Sequence, residues 1–62
     1  MKNKVKEYRE KNNMTATELA YKTGVSERYI LFIEAGKRTP SLRLANRIAM
    51  VLKEGVDKIF CF

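Results

Sequence analysis

The 62-residue sequence has no histidine, no tryptophan, one proline and a single cysteine, Cys61. Without histidine and with one cysteine, the chain offers neither a Cys/His zinc site nor an intramolecular disulfide. A catalytic nucleophile such as serine or cysteine would have no histidine as its general base, and the sequence contains no glycine-rich loop that could hold a phosphate. We therefore predict a protein that is not an enzyme and that binds no cofactor, metal or small-molecule ligand.

Long apolar runs are also missing from the sequence. No run approaches the roughly 18 residues that a membrane span requires, and no apolar segment follows the basic N-terminus as it would in a signal peptide. We expect a cytoplasmic protein that does not associate with membranes and in which Cys61 stays a thiol.

The length predicts one small domain that extends over residues 1–62. The hydrophobic content of 45% is sufficient for a core, but a lone core of this size contributes only about 3–5 kcal/mol. Such a domain is stabilised by close helix packing or by association with a second copy.

The charge is strongly basic, with 13 Lys and Arg against 7 Asp and Glu and a net charge of +6. The sequence pI of about 9.8 is typical of nucleic-acid-binding domains. Because the basic residues are spread along the chain, they favour a folded basic face over a disordered basic arm.

Apolar residues recur at intervals of three and four, which indicates helices. We predict five, over residues 4–12, 16–23, 27–35, 42–53 and a last turn at 56–60. Residues typical of helix N-caps precede three of them: Thr15, Ser26 and Ser41. Residues that tolerate a left-handed backbone end three of them: Asn12-Asn13, Gly24 and Gly36.

The second and third predicted helices have the spacing of a helix-turn-helix. Ala20 is small where the two helices would cross, and Gly24 supplies the positive φ that a tight turn needs. Apolar side chains then fill the angle between the helices: Val25, Ile30 and Ile33. An ordinary helical hairpin shows any one of these features, but their combination in a chain of charge +6 predicts a helix-turn-helix.

The segment MTATELAYKTGVSERYILFIEAGKRTPS, residues 14–41, resembles the phage repressor and Cro type of helix-turn-helix protein, the XRE-like regulators. Its most specific parts are T-x-x-E-L-A, G-V-S, Y-I-x-x-I-E-x-G-K-R and P-S. The resemblance implies an all-α, compact five-helix, repressor-like DNA-binding domain. It also implies a homodimer on double-stranded DNA with a pseudo-palindromic operator and the third helix in the major groove. A DNA-binding antitoxin and a helical protein-interaction module without DNA binding remain alternatives.

The outward face of the third helix supplies the base-reading candidates: Glu27, Arg28, Leu31 and Phe32. The Arg28 guanidinium matches the O6 and N7 acceptors of guanine, with a solvated surface arginine as the alternative. Glu27 either accepts from cytosine N4 or is stabilised by the helix dipole. The apolar Leu31 and Phe32 leave three interpretations open, namely contact with thymine methyl groups, a protein partner or a rotated helix in which part of this patch belongs to the core.

Polar residues at helix starts and after the third helix are the phosphate candidates: Thr15, Thr17, Ser26, Tyr29, Lys37, Arg38 and Thr39. Related proteins often carry glutamine at the first residue of the second helix, where this chain has Ala16. The threonines or the helix N-terminus would replace that contact. The basic loop is either a set of phosphate contacts or a solvated turn.

Two further sets concern the stability of the fold and of a dimer. By the resemblance, Arg9 and Glu34 form a structural ion pair between the first and third helices. The apolar C-terminal residues suggest a homodimer interface, with packing within one chain as the alternative. The predicted interface residues are Met50, Ile59, Phe60, Cys61 and Phe62.

Overall fold

The computed structural model describes residues 2–60, which form the five helices α1 (Val5–Lys11), α2 (Ala16–Thr23), α3 (Glu27–Glu34), α4 (Leu42–Leu52) and α5 (Val56–Ile59). The predicted all-α, five-helix fold is confirmed, and the predicted helices extend at most one residue beyond these bounds. Among the described residues, the β-structure is limited to one isolated antiparallel bridge between Asn3 and Phe60. No helix in this part of the chain is both long enough and apolar enough for a membrane span.

Hydroxyl side chains begin α2, α3 and α4 as predicted. The Thr15 hydroxyl oxygen accepts a hydrogen bond from the Glu18 backbone N–H at 3.0 Å. The hydroxyls of Ser26 and Ser41 accept equivalent bonds at 3.1 and 3.2 Å. Each bond satisfies a backbone N–H that has no hydrogen-bond partner inside its helix. The starts of these three helices are therefore determined by residues close in sequence.

Residues with a left-handed backbone end α1, α3 and α4: Asn13, Gly36 and Lys53. In α3 the Gly36 N–H donates to the Ile33 carbonyl at 3.0 Å, and the Lys37 N–H donates to the Phe32 carbonyl at 2.9 Å. This pair of bonds is the Schellman motif, which pairs the last helical carbonyls and turns the chain away from the helix axis. The residues after α3 therefore start in a fixed direction.

The core forms around α2, which packs against both α3 and α4. Large side chains of these three helices are almost completely buried there: Leu19, Ile30, Ile33, Ile48 and Leu52. Thr23 is buried among them and satisfies its hydroxyl by donating to the Leu19 carbonyl at 2.8 Å. Because α2 and α3 share this core, the angle between the two helices is fixed by packing as well as by the turn.

The C-terminal part of the described chain belongs to the same core, which corrects part of the predicted dimer interface. Ile59 and Phe60 are each only 1% exposed, and the Lys4 N–H donates to the Ile59 carbonyl at 2.8 Å. The assignment of Ile59 and Phe60 to a dimer interface is therefore wrong, since their apolar surface is already covered within one chain. Cys61 and Phe62, also assigned to that interface, lie outside the described residues.

Candidate nucleic-acid interface

The turn between α2 and α3 is held by its backbone and by one arginine from α4. Gly24 has a φ of 78°, and the N–H groups of Gly24 and Val25 both donate to the Ala20 carbonyl, at 2.9 and 3.1 Å. Arg47 donates from Nη1 to the Thr23 carbonyl at 3.1 Å, which pairs a carbonyl at the end of α2. The backbone hydrogen bonds of the turn and the contact from α4 thus fix the direction of α3 relative to α2.

The outward face of α3 carries the predicted base-reading residues. Ile30 and Ile33 point into the core, while Glu27 and Arg28 are exposed and Leu31 is 46% exposed. Leu31 therefore does not belong to the core. Phe32 is half-buried, and the centre of its ring lies 5.9 Å from the Arg28 guanidinium carbon.

Exposed polar groups surround this face at the two helix starts and in the loop after α3. The exposed members of the predicted phosphate set are Thr15, Thr17, Ser26, Lys37, Arg38 and Thr39. The cap bonds use the hydroxyl oxygens of Thr15 and Ser26 as acceptors, so both O–H groups keep a proton to donate. Tyr29 differs from the others, because its side chain is half-buried against the core.

The basic loop is tied to the end of α3. The N–H groups of Lys37 and Arg38 both donate to the Phe32 carbonyl, at 2.9 and 3.3 Å. Asn3 donates from its side chain to the Ile33 carbonyl at 2.7 Å, which joins the N-terminal segment to the same end of the helix. The basic side chains therefore start from a backbone that is rigid with respect to α3.

Arg9 and Glu34 form the predicted ion pair, which is bidentate. Arg9 Nε lies 2.7 Å from one Glu34 oxygen and Nη2 lies 3.2 Å from the other, while Nη1 donates to the Met14 carbonyl at 2.8 Å. The two side chains are only 11% and 6% exposed. The hydrogen bond to Glu34 raises the pKa of Arg9 above its ordinary value, and burial acts in the opposite direction. The pair joins α1 to the C-terminal end of α3.

The α3 face and the loop after it carry cations that no ion pair neutralises, as do several other positions of the described chain. Exposed pairs one helical turn apart neutralise lysines on other helices: Glu7–Lys11, Glu18–Lys22 and Glu54–Lys58. Within residues 2–60, Arg28, Lys37 and Arg38 take part in no ion pair. The exposed Glu27 carboxylate on the same face offsets only part of this charge, so α3 and the following loop keep a net positive charge that favours contact with a polyanion.

Sequence reasoning missed two residues that position this face, Arg47 and Asn3. Arg47 contacts a carbonyl 24 residues away and Asn3 one 30 residues away. In the sequence, an arginine and an asparagine with these partners look the same as solvated ones, and no local signal distinguishes them.

Comparison with known proteins gives a family model described as Helix-turn-helix, which matches residues 5–59. An uncharacterized HTH-type transcriptional regulator of Archaeoglobus fulgidus is 47% identical over 62 residues, which are 100% of this chain and 87% of the relative. Another, of Methanocaldococcus jannaschii, is also 47% identical over 62 residues, covering 100% of this chain and 94% of the relative.

Solved structures of other proteins share the fold. The restriction-modification controller protein C.AhdI from Aeromonas hydrophila superposes with a TM-score of 0.84 and 25% identity, over 90% of this chain and 81% of that one. SinR, the master regulator for biofilm formation, superposes with a TM-score of 0.79 and 31% identity over 86% of each chain. The SinR structure is a complex with DNA.

Proposed function

This chain belongs to the XRE-type helix-turn-helix family of DNA-binding transcriptional regulators, and we propose that it is a repressor that binds a pseudo-palindromic operator as a homodimer. In this proposal α3 lies in the major groove and its outward face contacts base edges. The observation that carries the proposal is the exposed, uncompensated Arg28 on a helix whose opposite face is completely buried.

Arg28 is the principal base-reading residue in this proposal. Its planar fork of donors matches the O6 and N7 acceptors of guanine, which only the major groove presents as a pair. Glu27 lies beside it and accepts from a cytosine N4 group, while Leu31 and Phe32 contact thymine methyl groups. Together the four side chains would contact three kinds of group in the major groove: the acceptors of guanine, the N4 donor of cytosine and the methyl group of thymine.

The surrounding polar groups set the register on the DNA backbone without reading sequence. The N-termini of α2 and α3 bring N–H groups and the hydroxyls of Thr15, Thr17 and Ser26 toward phosphates on one side of the groove. Lys37, Arg38 and Thr39 contact phosphates at the other end of α3, and the hydroxyl of Tyr29 is a further donor. The fixed start of the basic loop supports this arrangement.

Arg28→Ala is expected to weaken operator binding by about 1–3 kcal/mol and to relax specificity at one position in each half-site. Arg38→Ala is the matched control, because it also removes one exposed arginine. It should weaken binding to operator and random duplex alike and reduce the slope of log K against log salt by about one unit. Fluorescence anisotropy with both duplexes at several salt concentrations measures these effects.

Two outcomes of this titration contradict the proposal. If Arg28→Ala weakens operator and random duplex equally, Arg28 contacts phosphate and does not read a base. If the unmodified protein binds duplex DNA without a steep salt dependence, the positive face does not engage phosphates, and a protein-interaction module becomes the better description.

The homodimer is proposed to form through the groove between α4 and α5. Met50 is 79% exposed on α4 and lines this groove with Ala49 and Val56. A second copy would cover the exposed Met50 side chain and the apolar part of this groove, whose lining also includes the polar Asn46, Lys53 and Glu54. A two-fold arrangement sets the two recognition helices about 34 Å apart, one turn of DNA.

Met50→Lys is expected to shift the protein from dimer to monomer and to weaken operator binding in parallel, because one half-site offers few contacts. Leu42→Lys is the matched control, since it places the same charge on an exposed apolar position at the start of α4. Sedimentation at micromolar concentration measures the mass. A monomeric wild type, or a dimeric Met50→Lys variant, contradicts this interface.

A further inference from the structure

Arg28 and Phe32 lie one helical turn apart on the outward face of α3. The Arg28 guanidinium carbon is 5.9 Å from the centre of the Phe32 ring, within the range of a cation–π contact. Among residues 2–60 no carboxylate forms an ion pair with Arg28. Within the described residues, the Phe32 ring is the group that the Arg28 guanidinium contacts in the absence of DNA.

The two members of this pair differ in the exposure of their side chains. Phe32 is half-buried next to Ile33, which is completely buried. The Phe32 carbonyl accepts hydrogen bonds from the N–H groups of Lys37 and Arg38. Arg28, by contrast, is exposed on the first turn of the helix. The ring is thus the less exposed member of the pair, and its backbone is tied to the loop after α3.

We propose that Phe32 is a positioning residue that acts on DNA recognition through Arg28. A guanidinium must lie near the plane of the base pair to reach O6 and N7 of guanine together. A free arginine samples many rotamers and loses that freedom on binding, whereas one already stacked on a ring loses less. Guanine specificity therefore depends on Phe32, although Phe32 itself need not touch the guanine. This inference rests on the proposed base reading by Arg28.

Replacement of guanine by 7-deazaguanine provides the test, because this base lacks the N7 acceptor but pairs normally. The base is replaced at the operator position where the wild type prefers guanine to 7-deazaguanine and Arg28→Ala does not. Phe32→Leu keeps apolar volume and removes the π face, and Phe32→Tyr keeps the π face. Phe32→Leu is expected to reduce the preference about two- to fivefold, the equivalent of an exposed cation–π contact, while Phe32→Tyr retains it.

A double-mutant cycle separates this effect from a general loss of binding. In the Arg28→Ala background, Phe32→Leu is expected to cause no further change in the preference for guanine. Leu31→Ala is the control from the same face. It is expected to reduce the preference for thymine over uracil and to leave the preference for guanine unchanged.

Thermal unfolding measured by circular dichroism accompanies each binding measurement, because it distinguishes the outcomes that overturn the inference. Equal weakening on both bases with a lowered midpoint shows that Phe32 only supports the fold. Loss of the thymine preference alone shows that Phe32 contacts a methyl group directly and does not position Arg28. If the wild type prefers guanine at no position, or Arg28→Ala keeps the preference, base reading by Arg28 fails and this inference fails with it. If Phe32→Leu keeps the preference for guanine while Arg28→Ala loses it, the proposed function stands and this inference alone is wrong.

Discussion

Glu34→Ala is expected to unfold a large fraction of the protein at room temperature. The substitution leaves the Arg9 guanidinium, only 11% exposed, without the carboxylate that accepts two of its hydrogen bonds. Removing one partner of a buried pair costs about 3–5 kcal/mol, which is comparable to the whole contribution of a core of this size, about 3–5 kcal/mol. Urea unfolding followed by circular dichroism measures the loss.

Glu7→Ala is the control for this effect, because it also removes a glutamate from an ion pair of α1. The Lys11–Glu7 pair is 3.4 Å long, and its side chains are 61% and 53% exposed, so solvent screens it and its loss should cost at most about 0.5 kcal/mol. Similar losses for Glu34→Ala and Glu7→Ala would contradict the structural role of the Arg9–Glu34 pair.

Phe60→Ala is expected to lower the free energy of unfolding by about 3–5 kcal/mol. The side chain is 1% exposed and belongs to the core of the single chain, so its removal leaves a cavity. The Asn3–Phe60 bridge joins this position to the N-terminal segment. The lost free energy therefore comes from the contact between residues near Asn3 and residues near Phe60. Thermal unfolding at a fixed protein concentration measures the change.

Met50→Ala is the matched control for Phe60→Ala, since Met50 is 79% exposed. At protein concentrations low enough for a monomer it should change stability by no more than about 0.5 kcal/mol. If Phe60→Ala leaves unfolding unchanged and instead dissociates a dimer, the side chain lies between two copies and its burial within one chain is wrong.

The helix boundaries and the helix-turn-helix are predictable from sequence because their causes are local. Thr15 and Ser26 each accept a hydrogen bond from an N–H three residues ahead. Gly24 adopts the positive φ that its position requires. Lys53 is an exception, since it has a φ of 60° although lysine shows no preference for the left-handed region.

The parts that sequence could not predict depend on contacts between distant segments. An apolar residue such as Phe60 is recognisable as buried, but its side-chain type does not reveal whether its own chain or a second copy covers it. The contact between Arg47 and the Thr23 carbonyl depends on how α4 packs against α2, which no local pattern encodes. The outward direction of Arg28 followed from helical periodicity, whereas its contact with Phe32 required the ring position.

Methylation interference on duplexes selected from a random pool is the most direct test of recognition through α3. Dimethyl sulfate methylates guanine N7 in the major groove and adenine N3 in the minor groove. Recognition by Arg28 predicts guanines whose N7 methylation blocks binding, in two half-sites roughly 10 bp apart centre to centre, and loss of this interference in Arg28→Ala. A selection that enriches no common sequence, or interference at adenine N3 alone, would contradict an α3 that reads bases in the major groove.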